Sequence, residues 1–162
     1  MAWDLVKLAD RLKSDKEDFC LSIRQWKQFK SPVKLGWNSV PFCRSDATAV
    51  PKTRGVYAFI ITLGTDSIPP NGYVTYVGET GNDSRETLQS RFVSYFSEMK
   101  DESRKVHYIL RKYRRYLHFY FSKVPNRRHN LKQIEMILCD TLVPPYNVKD
   151  FSLEMRRGKK VL

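Results

Sequence analysis

Two short runs of β-forming residues, 55–61 and 73–77, constrain the fold of this chain more than any other feature. Both runs are rich in Val, Ile, Tyr and Phe, the composition expected of strands. The segment between them contains Pro69-Pro70-Asn71-Gly72, which is a strong turn signal. Two strands joined across such a turn predict an antiparallel hairpin.

The residues after the hairpin predict helices on either side of one further strand. Apolar residues recur at helical spacing at Leu88, Phe92 and Tyr95, and again over residues 104–117. Residues 117–124 predict a third strand, and residues 131–142 a last helix that ends before Pro144. The order ββααβα predicts an α+β domain, in which a small antiparallel three-stranded sheet is flanked by helices.

The rest of the chain divides into an N-terminal extension and a C-terminal tail. We expect residues 1–50 to form a helical extension followed by a connecting segment, residues 51–150 the main domain, and residues 151–162 a basic tail. Ser14 and Glu17 have the spacing of a capping box, which predicts the start of a second helix. Prolines and glycine punctuate residues 31–51, which predicts a connection without regular structure.

The charge of the chain favours a polyanionic partner. Lys and Arg number 29 against 17 acidic residues, which gives a net charge of +12. Neutralising phosphates with such a surplus releases counterions and drives binding to nucleic acid. Three widely spaced cysteines predict a reducing compartment. The charged N-terminus and the lack of a long apolar run predict a cytoplasmic protein with no membrane partner.

Glu135 is the residue whose position is hardest to explain by packing. Leu131, Leu138 and Leu142 lie 4 residues before, 3 after and 7 after it, so Glu135 shares the helix stripe that should face the core. A carboxylate there is costly unless it is paired or bound to a cation. Two interpretations are open: a salt bridge to a buried Arg, or a ligand of a hard divalent cation such as Mg²⁺.

Arg91, Tyr95, Tyr57 and Tyr76 are further candidates, each with a purely structural alternative. Arg91 and Tyr95 are four residues apart and share a helix face, where Arg91 could bind a phosphate or simply face solvent. Alternation in the strands places Tyr57 on the face of Phe59, and Tyr76 on the face of Val74. Tyrosines in strands are also frequent core residues.

Taken in order, these residues resemble the GIY-YIG endonuclease superfamily. The resemblance begins with Gly55-Val56-Tyr57 and, at the end of the next strand, Tyr76-Val77-Gly78. It continues with Arg91 on the helix after the hairpin, Glu135 on the later helix, and Asn147 in Pro144-Pro145-Tyr146-Asn147. It covers roughly residues 54–148. The motif has Val where the family name has Ile, a substitution that conserves shape.

The resemblance implies a role for each matched residue. Tyr57 corresponds to a general base toward the attacking water, and Tyr76 to the partner that shapes the nucleophile site. Arg91 corresponds to the arginine that steadies the scissile phosphate, and Glu135 to the sole protein ligand of the metal. Asn147 corresponds to a residue that fixes local backbone geometry.

Position 95 departs from the pattern of many family members. It is Tyr95 where many members carry His. The local sequence SRFVSYF is similar to that of the N-terminal nuclease of bacterial nucleotide excision repair. An adjacent Arg or metal would lower the pKa of a catalytic tyrosine from about 10, which would favour a phenolate or a relayed proton.

The expected function is hydrolysis of phosphodiester bonds in double-stranded DNA, with one Mg²⁺ or Mn²⁺ per active site. A compact, site-specific restriction enzyme is one form that the resemblance allows, alongside homing, repair and phage nucleases. Cutting both strands usually requires two active sites, so a homodimer is a further expectation. Two alternatives are a nucleic-acid-binding module without catalysis and a basic adaptor that docks on acidic proteins.

A basic helix face is the candidate DNA-binding surface. In the helix predicted over residues 104–117, the apolar residues gather on one side, and four basic residues lie on the other: Arg104, Arg111, Lys112 and Arg115. Such a face either contacts the DNA backbone or is solvated without a partner.

Overall fold

The computed structural model describes residues 4–62, 69 and 71–161. In chain order, the helices and strands are α1 (Leu5–Asp15), α2 (Ile23–Gln28), β1 (Trp37–Pro41), β2 (Gly55–Ile61), β3 (Tyr73–Thr80), α3 (Leu88–Glu98), α4 (Lys105–Lys112), β4 (Leu117–Lys123), α5 (Leu131–Leu142) and α6 (Leu153–Lys159). Short 3-10 helices cover Arg44–Ala49 and Arg114–Tyr116. The turn predicted at residues 69–72 lies partly outside the described residues, but β2 and β3 form the predicted antiparallel pair.

One antiparallel sheet contains all four strands, in the order β1-β4-β2-β3. The α+β class is confirmed, but the prediction of three strands was wrong. The additional strand β1 lies within residues 31–51, which we had assigned to a connection. Only Val40 of its five residues is buried, so β1 lacks the alternation that marks a half-buried strand. Its place at the sheet edge tolerates Pro41.

A bulge in the hairpin sets the orientation of Tyr76. Phe59 pairs with Tyr76, but the next residue of β2, Ile60, pairs with Val74, so Thr75 is the additional residue. The Thr75 hydroxyl donates a hydrogen bond to the Phe59 carbonyl oxygen, 2.9 Å away. The prediction that Tyr76 shares a face with Val74 was therefore wrong, because the bulge shifts the alternation. Tyr76 instead lies on the same face of the sheet as Phe59.

Helices cover both faces of the sheet. On one face, α3 and α4 enclose an aromatic core, and on the other α5 packs on an aliphatic core that includes Val56 and Val77. The aromatic core contains Tyr57, Phe59, Phe92, Tyr95, Phe96, Phe119 and Phe121, among others. Thr87 and Ser90 form a capping box at the start of α3, which fixes where that helix begins.

The N-terminal extension is helical, but its second helix begins later than predicted. Ser14 lies inside α1, so the capping box predicted for Ser14 and Glu17 was wrong. The side chain of Ser22 caps α2 instead, by accepting a hydrogen bond from the backbone N–H of Gln25 at 3.4 Å. Glu17 consequently lies in the segment between the two helices.

Two predicted boundaries near the sheet and the C-terminus also changed. The helix predicted over residues 104–117 ends at Lys112, and Leu117 already pairs with β2 as part of β4. Pairing in the sheet therefore overrides helical periodicity at this point. The expected tail contains α6, capped by Ser152 and anchored by the buried Phe151. Among the described residues, no helix is long and apolar enough to cross a membrane.

Candidate active site

Tyr57 lies at the centre of the aromatic face, and only 1% of it is exposed. Its partner across the hairpin is Gly78 of β3. A Cβ atom at Gly78 would overlap the ring and hydroxyl of Tyr57, so the close approach requires glycine. Gly55 has a similar constraint, because a Cβ atom there would overlap the carbonyl oxygen of Ser122 in β4. Steric overlap thus explains why glycine is required both at Gly55 of Gly55-Val56-Tyr57 and at Gly78 of Tyr76-Val77-Gly78.

A hydrogen-bonded network joins Tyr57 to α3. The hydroxyl oxygens of Tyr57 and Tyr95 lie 2.8 Å apart, and either can donate. Arg91 donates from Nε to the Tyr57 hydroxyl at 3.3 Å and from Nη2 to the Tyr95 hydroxyl at 3.2 Å. Its guanidinium carbon also lies 4.3 Å from the centroid of the Tyr95 ring, a cation–π contact. The positively charged guanidinium of Arg91 on α3 therefore lies within hydrogen-bonding distance of two buried phenols.

The remaining contacts of Arg91 orient its guanidinium group. Nη1 donates to the Ser94 hydroxyl at 3.3 Å and to Oε1 of Glu98 at 2.8 Å. Guanidinium has five N–H donors, and the contacts with Tyr57, Tyr95, Ser94 and Glu98 leave one on Nη2 without a partner among the described residues. Arg91 is therefore held in place, with little hydrogen-bonding capacity left for a further group.

Burial controls the protonation of the tyrosines. It raises the pKa of Tyr57 well above the usual value, and the Arg91 charge only partly offsets this. Burial also raises the pKa of Tyr95 and of Tyr76. Arg91 lowers the pKa of Tyr57 as expected, but desolvation outweighs this effect, so the Arg91 charge alone does not favour a phenolate. In the free protein, these phenols keep their protons at neutral pH.

Tyr76 connects the buried network to a groove. Its ring centroid lies 6.4 Å from that of Tyr57, and 8% of the residue is exposed. The groove has a volume of about 480 Å³, and its other walls come from residues 103–106 and from part of the 146–150 segment. After burial, the neighbouring Tyr95 and the carboxyl groups of Glu135 and Asp150 further raise the pKa of Tyr76, and the charge of Arg104 lowers it.

Glu135 is half-buried on α5, between the buried Leu131 and Leu138, as the stripe predicted. Among the described residues, no Lys or Arg forms a salt bridge with its carboxylate. The alternative of a salt bridge to a buried Arg therefore has no partner here. Burial raises the pKa of Glu135 to about 8, with further contributions from the carboxylates of Asp150 and Glu79.

The surroundings of Glu135 suit a bound cation. Its carboxylate is partly desolvated and is close enough to Asp150 and Glu79 for their charges to repel it. A divalent cation would relieve this repulsion. No group of three or more His, Cys, Asp or Glu side chains arranged to hold a metal occurs in the described part of the chain. A cation at Glu135 would therefore depend on few protein side chains and would need water and a substrate to complete its coordination.

The buried side chain of Asn147 pairs with the backbone of β3, which is the edge strand of the sheet. Its Oδ1 accepts a hydrogen bond from the backbone N–H of Val77, and its Nδ2 donates to the Val77 carbonyl oxygen, both at 2.8 Å. Nδ2 also donates to Oδ2 of Asp150 at 2.9 Å. The side chain thus pairs with β3 as a neighbouring strand would. It holds the backbone beside Tyr76 and positions Asp150.

The four basic candidates do not form a single helix face. Arg104 precedes α4 and borders the groove, whereas Arg115 lies in the 3-10 helix beyond its end. Arg111 donates to the Met99 carbonyl oxygen at 2.8 Å. Lys112 donates to the Ser14 carbonyl oxygen at 2.7 Å and to Glu17 at 3.1 Å. The prediction of one basic face was wrong, because α4 is shorter than its periodicity indicates.

Sequence reasoning missed three acidic residues of this site: Glu79, Glu98 and Asp150. Glu98 lies seven residues after Arg91, a spacing that repeats one helix face, so this partner could have been found. Glu79 directly follows Gly78 in β3, but nothing in the local pattern indicates that it lies near α5. Asp150 enters the site through the irregular segment after α5, which has no periodicity to interpret.

Comparisons of the chain with protein-family models, with curated proteins and with solved structures gave no match. The interpretation of the site therefore depends on its residues and their geometry.

Proposed function

We propose that the protein is a divalent-metal-dependent DNA endonuclease whose active site contains Tyr57, Tyr76, Arg91, Tyr95 and Glu135. The observation that carries this proposal is that a guanidinium, several phenols and a carboxyl group lie close together around Tyr57 and Tyr76. The guanidinium of Arg91 contacts two phenols. The half-buried carboxyl group of Glu135, which forms no ion pair within the described residues, raises the pKa of the neighbouring Tyr76. Phosphodiester hydrolysis needs such a combination of positive charge, proton-transfer groups and a cation ligand.

Arg91, Tyr57 and Tyr76 have different roles in the proposed hydrolysis. Arg91 stabilises the negative charge that develops on the phosphoryl oxygens, using the Nη2 donor left open by its internal contacts. Tyr57 stays a neutral phenol, held by its hydrogen bonds with Tyr95 and Arg91, and its oxygen accepts a hydrogen bond from the attacking water. The proton that this water loses passes to solvent in the groove. Tyr76 lies where the buried network meets the groove and orients the attacking water.

Glu135 would hold the cation, with Mg²⁺ or Mn²⁺ as the expected ions. The cation supplies neutralisation of charge at the phosphate and activation of water. Glu79 and Asp150 add negative charge nearby. Asn147 fixes the position of Asp150 through their hydrogen bond.

The runner-up is a nucleic-acid-binding module without catalysis. Two observations favour it: Glu98 occupies a guanidinium donor of Arg91, and burial raises the pKa of each site tyrosine. Under this alternative, the network is structural and the basic surface alone is functional. A basic adaptor for acidic proteins would use the same net charge of +12.

Incubation of supercoiled plasmid with the purified protein separates these functions. The proposal predicts linear or nicked product with Mg²⁺ and none with EDTA. Discrete fragments indicate site-specific, restriction-like cleavage, whereas a smear indicates cleavage without specificity. A shift of plasmid mobility without any cutting, at every Mg²⁺ and Mn²⁺ concentration tried, contradicts the endonuclease and supports the binding module.

A further inference from the structure

The groove beside Tyr76 is lined by two lysines that form no salt bridge within the described residues. Lys105 opens α4, and Lys149 lies opposite it in the 146–150 segment, and both are exposed. Two exposed ammonium groups lining one groove favour an anionic occupant.

Three basic residues outside the groove are paired with carboxylates. Lys112 is bound to Glu17, Lys132 lies 2.5 Å from Asp83, and Arg111 lies 3.6 Å from Glu102. Lys105 and Lys149 share their unpaired state with other exposed basic residues of the described chain, and what distinguishes them is that both line the groove beside Tyr76.

The groove is continuous with the catalytic network. Tyr76 forms one wall of the groove, and Arg104 on another wall lies 3.8 Å from Oε2 of Glu98. Glu98 in turn holds Arg91. The contacts of Glu98 with Arg104 and Arg91 therefore relate the groove to the guanidinium that would hold the scissile phosphate. The one carboxylate in the lining, Asp150, is already hydrogen-bonded to Asn147.

The lining suits a nucleic-acid strand better than a simple anion. Tyr146 and Val148 add aromatic and apolar surface between the basic residues, and 56% of Val148 is exposed. A lining that combines basic side chains with aromatic and apolar surface suits a strand that carries phosphates together with sugars and bases. An acidic peptide would match the charge, but it would have no reason to enter beside Tyr76.

We propose that this groove binds the backbone of the cleaved DNA strand, with Lys105 and Lys149 contacting phosphates next to the scissile one. This inference rests on the proposed function and adds the path of the substrate to it. Contacts of this kind position the strand and do not read its sequence. The proposed path of the DNA strand therefore runs between the start of α4 and the segment after α5, and not along the solvent face of α4.

The test is the salt dependence of binding to a short fluorescein-labelled DNA duplex, measured by fluorescence anisotropy in EDTA so that no cleavage occurs. In the double variant Lys105→Gln/Lys149→Gln, the slope of log K against log salt should shrink by about 1.8, which is 0.9 per phosphate contact for two contacts. The control Lys7→Gln/Lys13→Gln removes the same charge from exposed positions of α1 and should leave the slope unchanged. Circular dichroism verifies that each variant is folded.

Several results would overturn the inference. One is a slope that stays at the wild-type value in the groove variant, and another is an equal decrease in the α1 control. A decrease in Arg111→Gln/Arg115→Gln with no change in the groove variant would place the DNA at the end of α4 and the 3-10 helix that follows it instead. Failure of the proposed function is separate, because a wild-type protein that cuts no plasmid still shows whether binding depends on the groove. A wild-type protein that does not bind the duplex at low salt contradicts both.

Discussion

The guanidinium of Arg91 and the carboxylate of Glu98 form an ion pair at 2.8 Å across two turns of α3, with side-chain exposures of 14% and 31%. This pair sets the direction of a guanidinium that also contacts Tyr57 and Tyr95. His107 and Arg104 lie 3.6 and 3.8 Å from the other carboxylate oxygen of Glu98. Glu98 is therefore a positioning residue for Arg91.

Glu98→Gln keeps the size of the side chain and removes its charge, so Arg91 should lose its fixed orientation. We expect cleavage at saturating DNA to fall by up to roughly 10²-fold, the cost of a misplaced catalytic group. Binding of the duplex in EDTA should not weaken, because no phosphate contact is removed. Glu102→Gln is the matched control, since the Glu102 side chain is 86% exposed. Equal rates for the two variants would show that Glu98 has no positioning role.

Gly78→Ala tests the close approach of Tyr57 to β3. The added methyl group would overlap the buried ring, so Tyr57 must move. We expect a loss of about 1–3 kcal/mol in the free energy of unfolding, which is the usual range for overpacking, together with loss of cleavage. Urea unfolding and a plasmid assay measure the two effects. Gly36→Ala is the control, because a Cβ atom there has nothing within 4 Å. Full stability and full activity of Gly78→Ala would contradict the geometry of the site.

The buried phenols predict a loss of stability at alkaline pH. In the unfolded chain, tyrosines ionise near pH 10, whereas burial raises the pKa of Tyr57 in the folded protein. The contribution of the protonated Tyr57 phenol to the free energy of unfolding is therefore fully present below about pH 10. It is lost as pH rises toward the folded pKa, because only the unfolded chain releases the proton in this range. Tyr57→Phe should show a shallower decrease. Urea unfolding between about pH 8 and pH 11 measures this, and parallel decreases in wild type and variant would refute it.

Glu17 attaches the N-terminal extension to the domain. It accepts hydrogen bonds from the hydroxyl of Tyr113 at 2.9 Å and of Tyr146 at 2.5 Å, and from Lys112. Glu17→Gln weakens these contacts, so trypsin should cut the segment before β1 faster. Asp18→Asn is the control, since the neighbouring Asp18 side chain is 89% exposed. Mass spectrometry of the digest identifies the sites, and unchanged cutting in the Glu17 variant would show that another contact holds the extension.

Much of the fold follows from local patterns. The stripe around Glu135 and the prolines after it predict α5 with its observed bounds, and the β-forming runs predict the hairpin. The bulge at Thr75 was not predictable, because the pairing of two strands determines it. β1 was missed for a similar reason: its partner β4 lies about 80 residues away along the chain and supplies the pairing.

The site was predictable only as a set of separate residues. Spacing on α3 relates Arg91 to Tyr95, but their contact with Tyr57 depends on how α3 packs on the sheet. The pKa of Tyr57 depends on burial, which no local pattern shows. The bulge then decides that Tyr76 faces this network and not the aliphatic core.

The central claim is that Glu135 holds the cation of an active nuclease, and paired assays of cleavage and binding with Glu135→Gln test it most directly. The variant removes the carboxyl group that would bind the cation and keeps every basic residue of the proposed DNA-binding groove. We predict that it loses Mg²⁺-dependent plasmid cleavage and binds the duplex in EDTA with wild-type affinity. The control Glu154→Gln changes an exposed carboxylate at the start of α6 and should behave as wild type. Plasmid cleavage by Glu135→Gln at the wild-type rate would contradict the account.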